Sequence, residues 1–322
     1  MRSLITGAAG FVGRHLVARL LASGAGPIYG VGREDVAEDD PLLRASGVEF
    51  LQADISSVEA ASQAVNAAQP DRAYLLAAFS APADAYRDPL GVIQNNVACV
   101  VNVLEALREI APRARVLIVS SSEVYGRGTT SGAPLTEDSP LAPENPYAVS
   151  KAAQDLLGYQ YHVAYGMDIV RVRPFNHLGP GQSDRFVASA FARQVAERES
   201  GLGEQLIEVG NLEAHRDFLD VRDVVAAYEL ALTLGQPGQV YNLASGRAVA
   251  IRSLLDQLIA RSQTSFTVSV DPQRFRPADA PILVGDASRF INLTGWSPKV
   301  SLDQTLDDLL AYWRERIRLE SK

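Results

Sequence analysis

Tyr147 and Lys151 stand four positions apart in the run Asn145-Pro146-Tyr147-Ala148-Val149-Ser150-Lys151. In a helix that spacing puts both side chains on one face, one turn apart. A phenol titrates at about 10 and is a weak acid-base catalyst at neutral pH unless a nearby cation lowers that value. Set beside an ammonium, Tyr147 could exchange a proton with the oxygen of an alcohol or ketone. Lys occurs only at 151, 299 and 322, and Arg fills the other cationic positions, so a compact ammonium stands here where a guanidinium serves elsewhere. With 11 Tyr in the chain, about 0.1 such pair is expected by chance. The plainer alternative is a surface Lys beside a half-buried Tyr.

A second group of polar residues lies in Val119-Ser120-Ser121-Ser122-Glu123-Val124-Tyr125-Gly126, where a β-rich run ends. The carboxyl edge of a parallel sheet is where such folds bind ligands. Ser121 could hydrogen-bond a substrate oxygen together with Tyr147, and Glu123 could act as a second base. Either could instead cap the loop that follows.

The third feature is a glycine turn. Leu4-Ile5-Thr6 runs into Gly7-Ala8-Ala9-Gly10-Phe11-Val12-Gly13 and then into an amphipathic helix. Strand, glycine turn and helix in that order let a pyrophosphate approach bare N–H groups at the positive end of a helix dipole. The predicted ligand is a dinucleotide held by Gly7, Gly10, Phe11, Val12 and Gly13. The next strand, Tyr29-Gly30-Val31-Gly32, leads into Arg33, a cation suited to the 2′-phosphate of NADP. The alternative is that Glu34 or Asp35 reaches a free ribose hydroxyl, as NAD would require. Asp54 and Ile55 are placed beside the adenine, although Asp54 could equally cap the helix after it.

The elements that must carry these residues alternate. β-rich runs at Ser3–Thr6, Ile28–Val31, Phe50–Ala53, Ala73–Ala77, Val116–Ser120 and Ile169–Val172 are separated by helical patterns. That alternation predicts an α/β fold, a doubly wound parallel sheet of the Rossmann type. A dinucleotide-binding domain is expected over 1–175, with returning elements near 220–245. A smaller, mixed C-terminal substrate domain is expected over 176–322, with helices near 188–199, 251–262 and 302–317.

The 322 residues are 47% apolar, enough for a full core. A net charge of −8, spread along the chain, argues against a nucleic-acid groove or a membrane-binding patch. The N-terminal stretch, interrupted by Arg14 and Arg19, reads as mature structure and not as a signal peptide. Cys99 is the one cysteine and reads as a buried structural thiol in a reducing cytoplasm. The four His are in no ligand spacing, and no metal site is expected.

Together these residues resemble the extended short-chain dehydrogenase/reductase family of nucleotide-sugar epimerases, dehydratases and reductases. The resemblance rests on the Gly7-Gly10-Gly13 turn, Leu75-Leu76-Ala77-Ala78, Ser120 to Gly126, and Tyr147 with Lys151, and it covers nearly the whole chain. It implies that Lys151 binds the nicotinamide ribose, that Tyr147 exchanges a proton with the sugar 4-oxygen and that Ser121 steadies that oxygen. It also implies Leu76, Ala77, Ala78, Pro174 and His177 on the cofactor side, and Ser80, Ser122, Glu123, Asn176, Arg216, Arg276 and Asp279 on the nucleotide sugar; for the two arginines, surface salt bridges are the alternative. Arg173 to Gln182 and Val209 to Asp223 are most similar to the branch that reduces GDP-4-keto-6-deoxy-D-mannose with NADPH. Glu123 matches the dehydratases' base and keeps a 4,6-dehydratase or 4-epimerase with recycled NAD(P) as the other reading. Two departures from the family pattern stand out: Leu76 replaces a usual His, and Phe79-Ser80-Ala81 replaces a more polar stretch that would face the sugar. Apolar residues on more than one face of helices at about 91–109 and 146–165, with the resemblance, imply a homodimer through a four-helix bundle.

Overall fold

The computed structural model describes residues 1–38, 40–80, 85–128, 132–275 and 280–320. Its first half carries six strands: β1 (Ser3–Thr6), β2 (Ile28–Gly32), β3 (Val48–Gln52), β4 (Arg72–Leu75), β5 (Arg115–Val119) and β6 (Ile169–Pro174). With Val240–Leu243 they form one seven-stranded sheet in the order Val240–Leu243, β6, β5, β4, β1, β2, β3. Every neighbouring pair is parallel. Strand order reverses between β1 and β4, so the loops leaving these two strands diverge and open a crevice at their carboxyl ends.

The central strands are apolar because helices cover both faces. On one face Phe11–Ala22 and Val221–Leu234 bury Leu16, Val17, Leu20, Val224 and Tyr228. On the other, Val58–Ala68 and Pro89–Ile110 bury Val65, Val100, Val103 and Leu107. The Pro89–Ile110 helix is long and apolar enough to cross a membrane, but here it covers the sheet, packed between Val58–Ala68 and the Pro146–Tyr165 helix.

Beyond β6 the chain builds a smaller mixed sheet. Its centre is His215–Asp220, flanked by Asn176–Leu178 and Ile282–Leu283 in parallel and by Ala248–Ala250 in antiparallel. Helices Val187–Glu199, Ile251–Ala260 and Leu302–Glu320 close a separate core around Phe191, Leu254, Leu309 and Trp313. Their bounds lie within a few residues of those read from apolar periodicity.

Asp155, fully buried on the Pro146–Tyr165 helix, accepts from Arg171 at 2.5 Å and from Arg173 at 2.7 Å, both guanidinia on β6. Arg173 also donates to the Tyr125 hydroxyl at 2.9 Å. This buried cluster ties the helix that carries Tyr147 and Lys151 to the sheet and to the turn after β5.

Candidate active site

The carboxyl ends of the central strands open into a cleft of about 440 Å³. At its floor the β1 turn is held by Thr6, whose hydroxyl accepts from the backbone N–H of Leu76 at 3.0 Å and of Ala77 at 3.1 Å. Gly7 adopts φ +71° with its Cα against Ala77, a conformation and an approach that favour glycine. At Gly13 a Cβ would collide with the Gly7 carbonyl. Bare backbone therefore lies where the Phe11–Ala22 helix begins, a cradle that a side chain would fill and that fits a pyrophosphate.

One end of this cradle is framed by Arg33, Glu34, Asp54 and Ile55. The Arg33 guanidinium stacks over the Phe79 ring at 4.5 Å and lies 3.9 Å from the Asp54 carboxylate, which leaves it half-exposed and able to turn toward an anion. Asp54 is not the helix cap: Ser57 accepts from Ala60 N at 3.4 Å as the N-cap of Val58–Ala68, and Asp54 accepts from Ser56 N at 3.0 Å. Hydrogen bonds from Ser56 hold its carboxyl below the usual range. Glu34 lines the cleft, with its carboxylate folded back against Gly32.

Tyr147 and Lys151 face the same cleft. Asn145 starts their helix by accepting from Ala148 N at 2.8 Å, and Pro146 holds the first helical position. The Ser121 hydroxyl and the Glu123 carboxylate both lie close enough to the Tyr147 phenol to act on it. Ser121 also caps the short turn Ser122–Tyr125 by accepting from Glu123 N at 3.2 Å, so its capping and site-facing readings hold together. Glu123 accepts from the Asn145 amide at 2.8 Å.

The expected influence of Lys151 on the phenol is not realised. Burial, and then the Glu123 charge, push the Tyr147 phenol well above its ordinary value, and the nearby Ser121 hydroxyl offsets only part of this. The reason is where the ammonium sits. Lys151, buried, donates from Nζ to the Val119 carbonyl at 2.7 Å and to Gln154 Oε1 at 2.8 Å. Burial lowers its own pKa to about 8.

Opposite the glycine turn, His177 lies in a stacked arrangement with Phe11, their ring centroids 6.2 Å apart, and its Nδ1 is 3.1 Å from the Phe175 carbonyl. Burial pushes the imidazole below its ordinary pKa, which suits a fixed wall better than a proton carrier. Pro174, Asn176, Ala78, Ser80 and the buried Ser122 also line the cleft.

One expected residue does not join this group. Arg216 is absent from the cleft lining; its guanidinium donates to the carbonyls of His215 at 2.8 Å and Ala280 at 2.6 Å, because a half-buried cation beside main-chain oxygens satisfies itself locally. Arg276 and Asp279 lie outside the described residues. Sequence reasoning in turn missed Asn95, Gln182, Phe186, Phe218 and Tyr228, all in the lining. Gln182 and the two Phe come from the second half, whose irregular pattern gave no signal. Cys99 is buried as expected but also lines the cleft, and burial pushes its thiol up to about 11.

Residues 4–309 match the sequence family described as GDP-mannose 4,6 dehydratase. The chain is 36% identical to the GDP-6-deoxy-D-mannose reductase of Pseudomonas aeruginosa, over 99% of both chains. It is 26% identical to the GDP-mannose 4,6-dehydratase of Yersinia enterocolitica over 96% of this chain and 93% of that one. Among solved structures, RMD from Pseudomonas aeruginosa complexed with NADPH superposes with a TM-score of 0.85 at 33% identity, covering 98% of this chain and all of that one. The Thermus thermophilus UDP-glucose 4-epimerase complex with NAD superposes at 0.87 with 27% identity, over 98% of this chain and 99% of that one. With the glycine cradle and the Tyr147–Lys151 helix at one sheet edge, the chain belongs to the GDP-mannose 4,6-dehydratase family, within the extended short-chain dehydrogenase/reductases.

Proposed function

We propose that the chain is an NADPH-dependent oxidoreductase that reduces a nucleotide 4-keto-6-deoxyhexose, taking GDP-4-keto-6-deoxy-D-mannose to GDP-D-rhamnose. The observation that carries this is the Tyr147 phenol, with Ser121 beside it, in the same cleft as a side-chain-free dinucleotide cradle. The relative at 36% identity over nearly the whole chain, named as a GDP-6-deoxy-D-mannose reductase, supports the same choice of substrate.

Gly7, Gly10, Phe11, Val12 and Gly13 would hold the pyrophosphate, Arg33 the 2′-phosphate, and Asp54 and Ile55 the adenine side. When bound, the nicotinamide supplies the hydride for C4 of the sugar. Tyr147 gives its phenolic proton to the emerging C4 alkoxide, Ser121 donates a hydrogen bond to the same oxygen, and water restores the proton to the phenolate. Lys151 binds the nicotinamide ribose through its remaining N–H. A phenol whose pKa is held high remains protonated before reaction. Asn176, Ser80 and Ser122 are assigned to the sugar and its phosphates, Arg276 and Asp279 to the nucleotide.

The division of labour proposed is cofactor binding by residues 1–175 with the returning 220–245 elements, and nucleotide-sugar binding by 176–322. We place the enzyme in a reducing cytoplasm, in keeping with its one buried thiol. Incubation of pure protein with NADPH and GDP-4-keto-6-deoxy-D-mannose tests the reading. One NADPH oxidised per sugar reduced is expected; turnover of GDP-mannose without net cofactor oxidation would replace it with the dehydratase reading. That second reading has one observation in its favour: Glu123, the position matching the dehydratases' base, lines the cleft beside Tyr147.

A further inference from the structure

The Lys151 ammonium has three N–H groups, and the acceptors of two of them, the Val119 carbonyl and Gln154 Oε1, are both uncharged. Gln154 lies one helical turn on from Lys151 and is 1% exposed. Both ends of its amide are engaged: Oε1 by Lys151, and Nε2 by donation to the Asn96 carbonyl at 2.5 Å. Asn96, itself fully buried, accepts from Phe79 N at 2.8 Å and donates to the Ser150 hydroxyl at 2.9 Å. Gln154 therefore cannot rotate away from Lys151 without breaking a buried hydrogen bond anchored to the neighbouring helix. The Cys99 thiol, on that same helix, is a titratable group close enough to act on the ammonium, and burial raises its pKa; β5 presents the Val119 carbonyl.

We propose that Gln154 is a positioning residue for Lys151. With the Val119 carbonyl it occupies two of the three N–H groups, aims the third at the cleft, and does so without a countercharge that would quench the cation. A carboxylate partner would pair the ammonium and weaken its hold on the ribose hydroxyls. The inference rests on the role proposed above for Lys151, so the experiment has an arm for each.

The pH profile of kcat/KM and the NADPH affinity are measured for the wild type, Gln154→Met, Gln154→Glu and Lys151→Ala. Gln154→Met keeps the volume and removes the acceptor, so its alkaline limb should move down by about one pH unit, with NADPH bound roughly tenfold more weakly. Gln154→Glu keeps an acceptor for Nζ and should hold the limb at or above its wild-type position. If Met and Glu variants both keep the wild-type limb and affinity while Lys151→Ala is inactive, Gln154 only fills space and this inference fails alone. Wild-type turnover by Lys151→Ala would overturn the role of Lys151 and, with it, that of Gln154. Should Gln154→Met fail to fold, Gln154→Glu decides: a limb at lower pH overturns the proposal.

Discussion

At the residue scale, the account turns on one phenolic oxygen. Tyr147→Phe removes the proton donor and leaves the glycine cradle untouched, so kcat should fall by about 10²–10⁴-fold with NADPH affinity nearly unchanged, as steady-state kinetics and fluorescence titration would show. The pH dependence has a definite sign. Burial depresses the Lys151 pKa to about 8, and the cation is the active form, so activity should be lost as pH rises through about 8, far below the ordinary lysine value of about 10.4. Arg33→Ala should shrink the preference for NADPH over NADH about tenfold or more, because the half-exposed guanidinium is the group suited to the 2′-phosphate. Much of this was legible in the sequence, since Tyr147, Lys151 and Ser121 announce their chemistry by type and spacing. Gln154 and Asn96 did not, because their meaning comes from contacts across 58 positions. An Asn between Val92 and Val100 on an apolar helix was the available signal. The effect expected of Lys151 on the phenol also misled, as spacing alone does not show which carbonyls a buried ammonium bonds.

At the element scale, two devices hold the site. The glycine turn was readable because Gly7 and Gly13 answer steric demands that only glycine meets. Gly13→Ala forces its Cβ into the Gly7 carbonyl and should lower stability by roughly 1–3 kcal/mol while abolishing tight NADPH binding; thermal unfolding and titration check both. The second device, Asp155 between Arg171 and Arg173, was invisible before folding, since the helix and strand that meet there are joined by packing and not by any local pattern. Asp155→Ala leaves two buried guanidinia without their partner and should cost about 3–5 kcal/mol, read as a lowered denaturant midpoint. The parallel, doubly wound sheet was legible from the alternation of β-rich and helical runs, but its strand order was not. The fine structure of the second half was not, because short strands such as Ala248–Ala250 and Ile282–Leu283 are defined by what they pair with.

At the scale of the whole molecule, the Pro146–Tyr165 helix presents Val149, Leu156, Tyr159 and Val163 on one outer face, 41% to 65% exposed. Exposed apolar side chains seven apart along a helix are suited to a helical partner, which supports the proposed twofold four-helix bundle. The wild type should sediment as a dimer at micromolar concentration, and Leu156→Glu with Val163→Glu should give a monomer. Catalysis, however, is the central claim, and isotope transfer tests it most directly. NADPH carrying deuterium at the transferable position is incubated with the pure protein and GDP-4-keto-6-deoxy-D-mannose, and the product is examined by NMR and mass spectrometry. The account predicts a 6-deoxyhexose with a single deuterium at C4, formed in step with cofactor oxidation. A product without label at C4, or a sugar left as the 4-ketone while the protein binds both ligands, would contradict it.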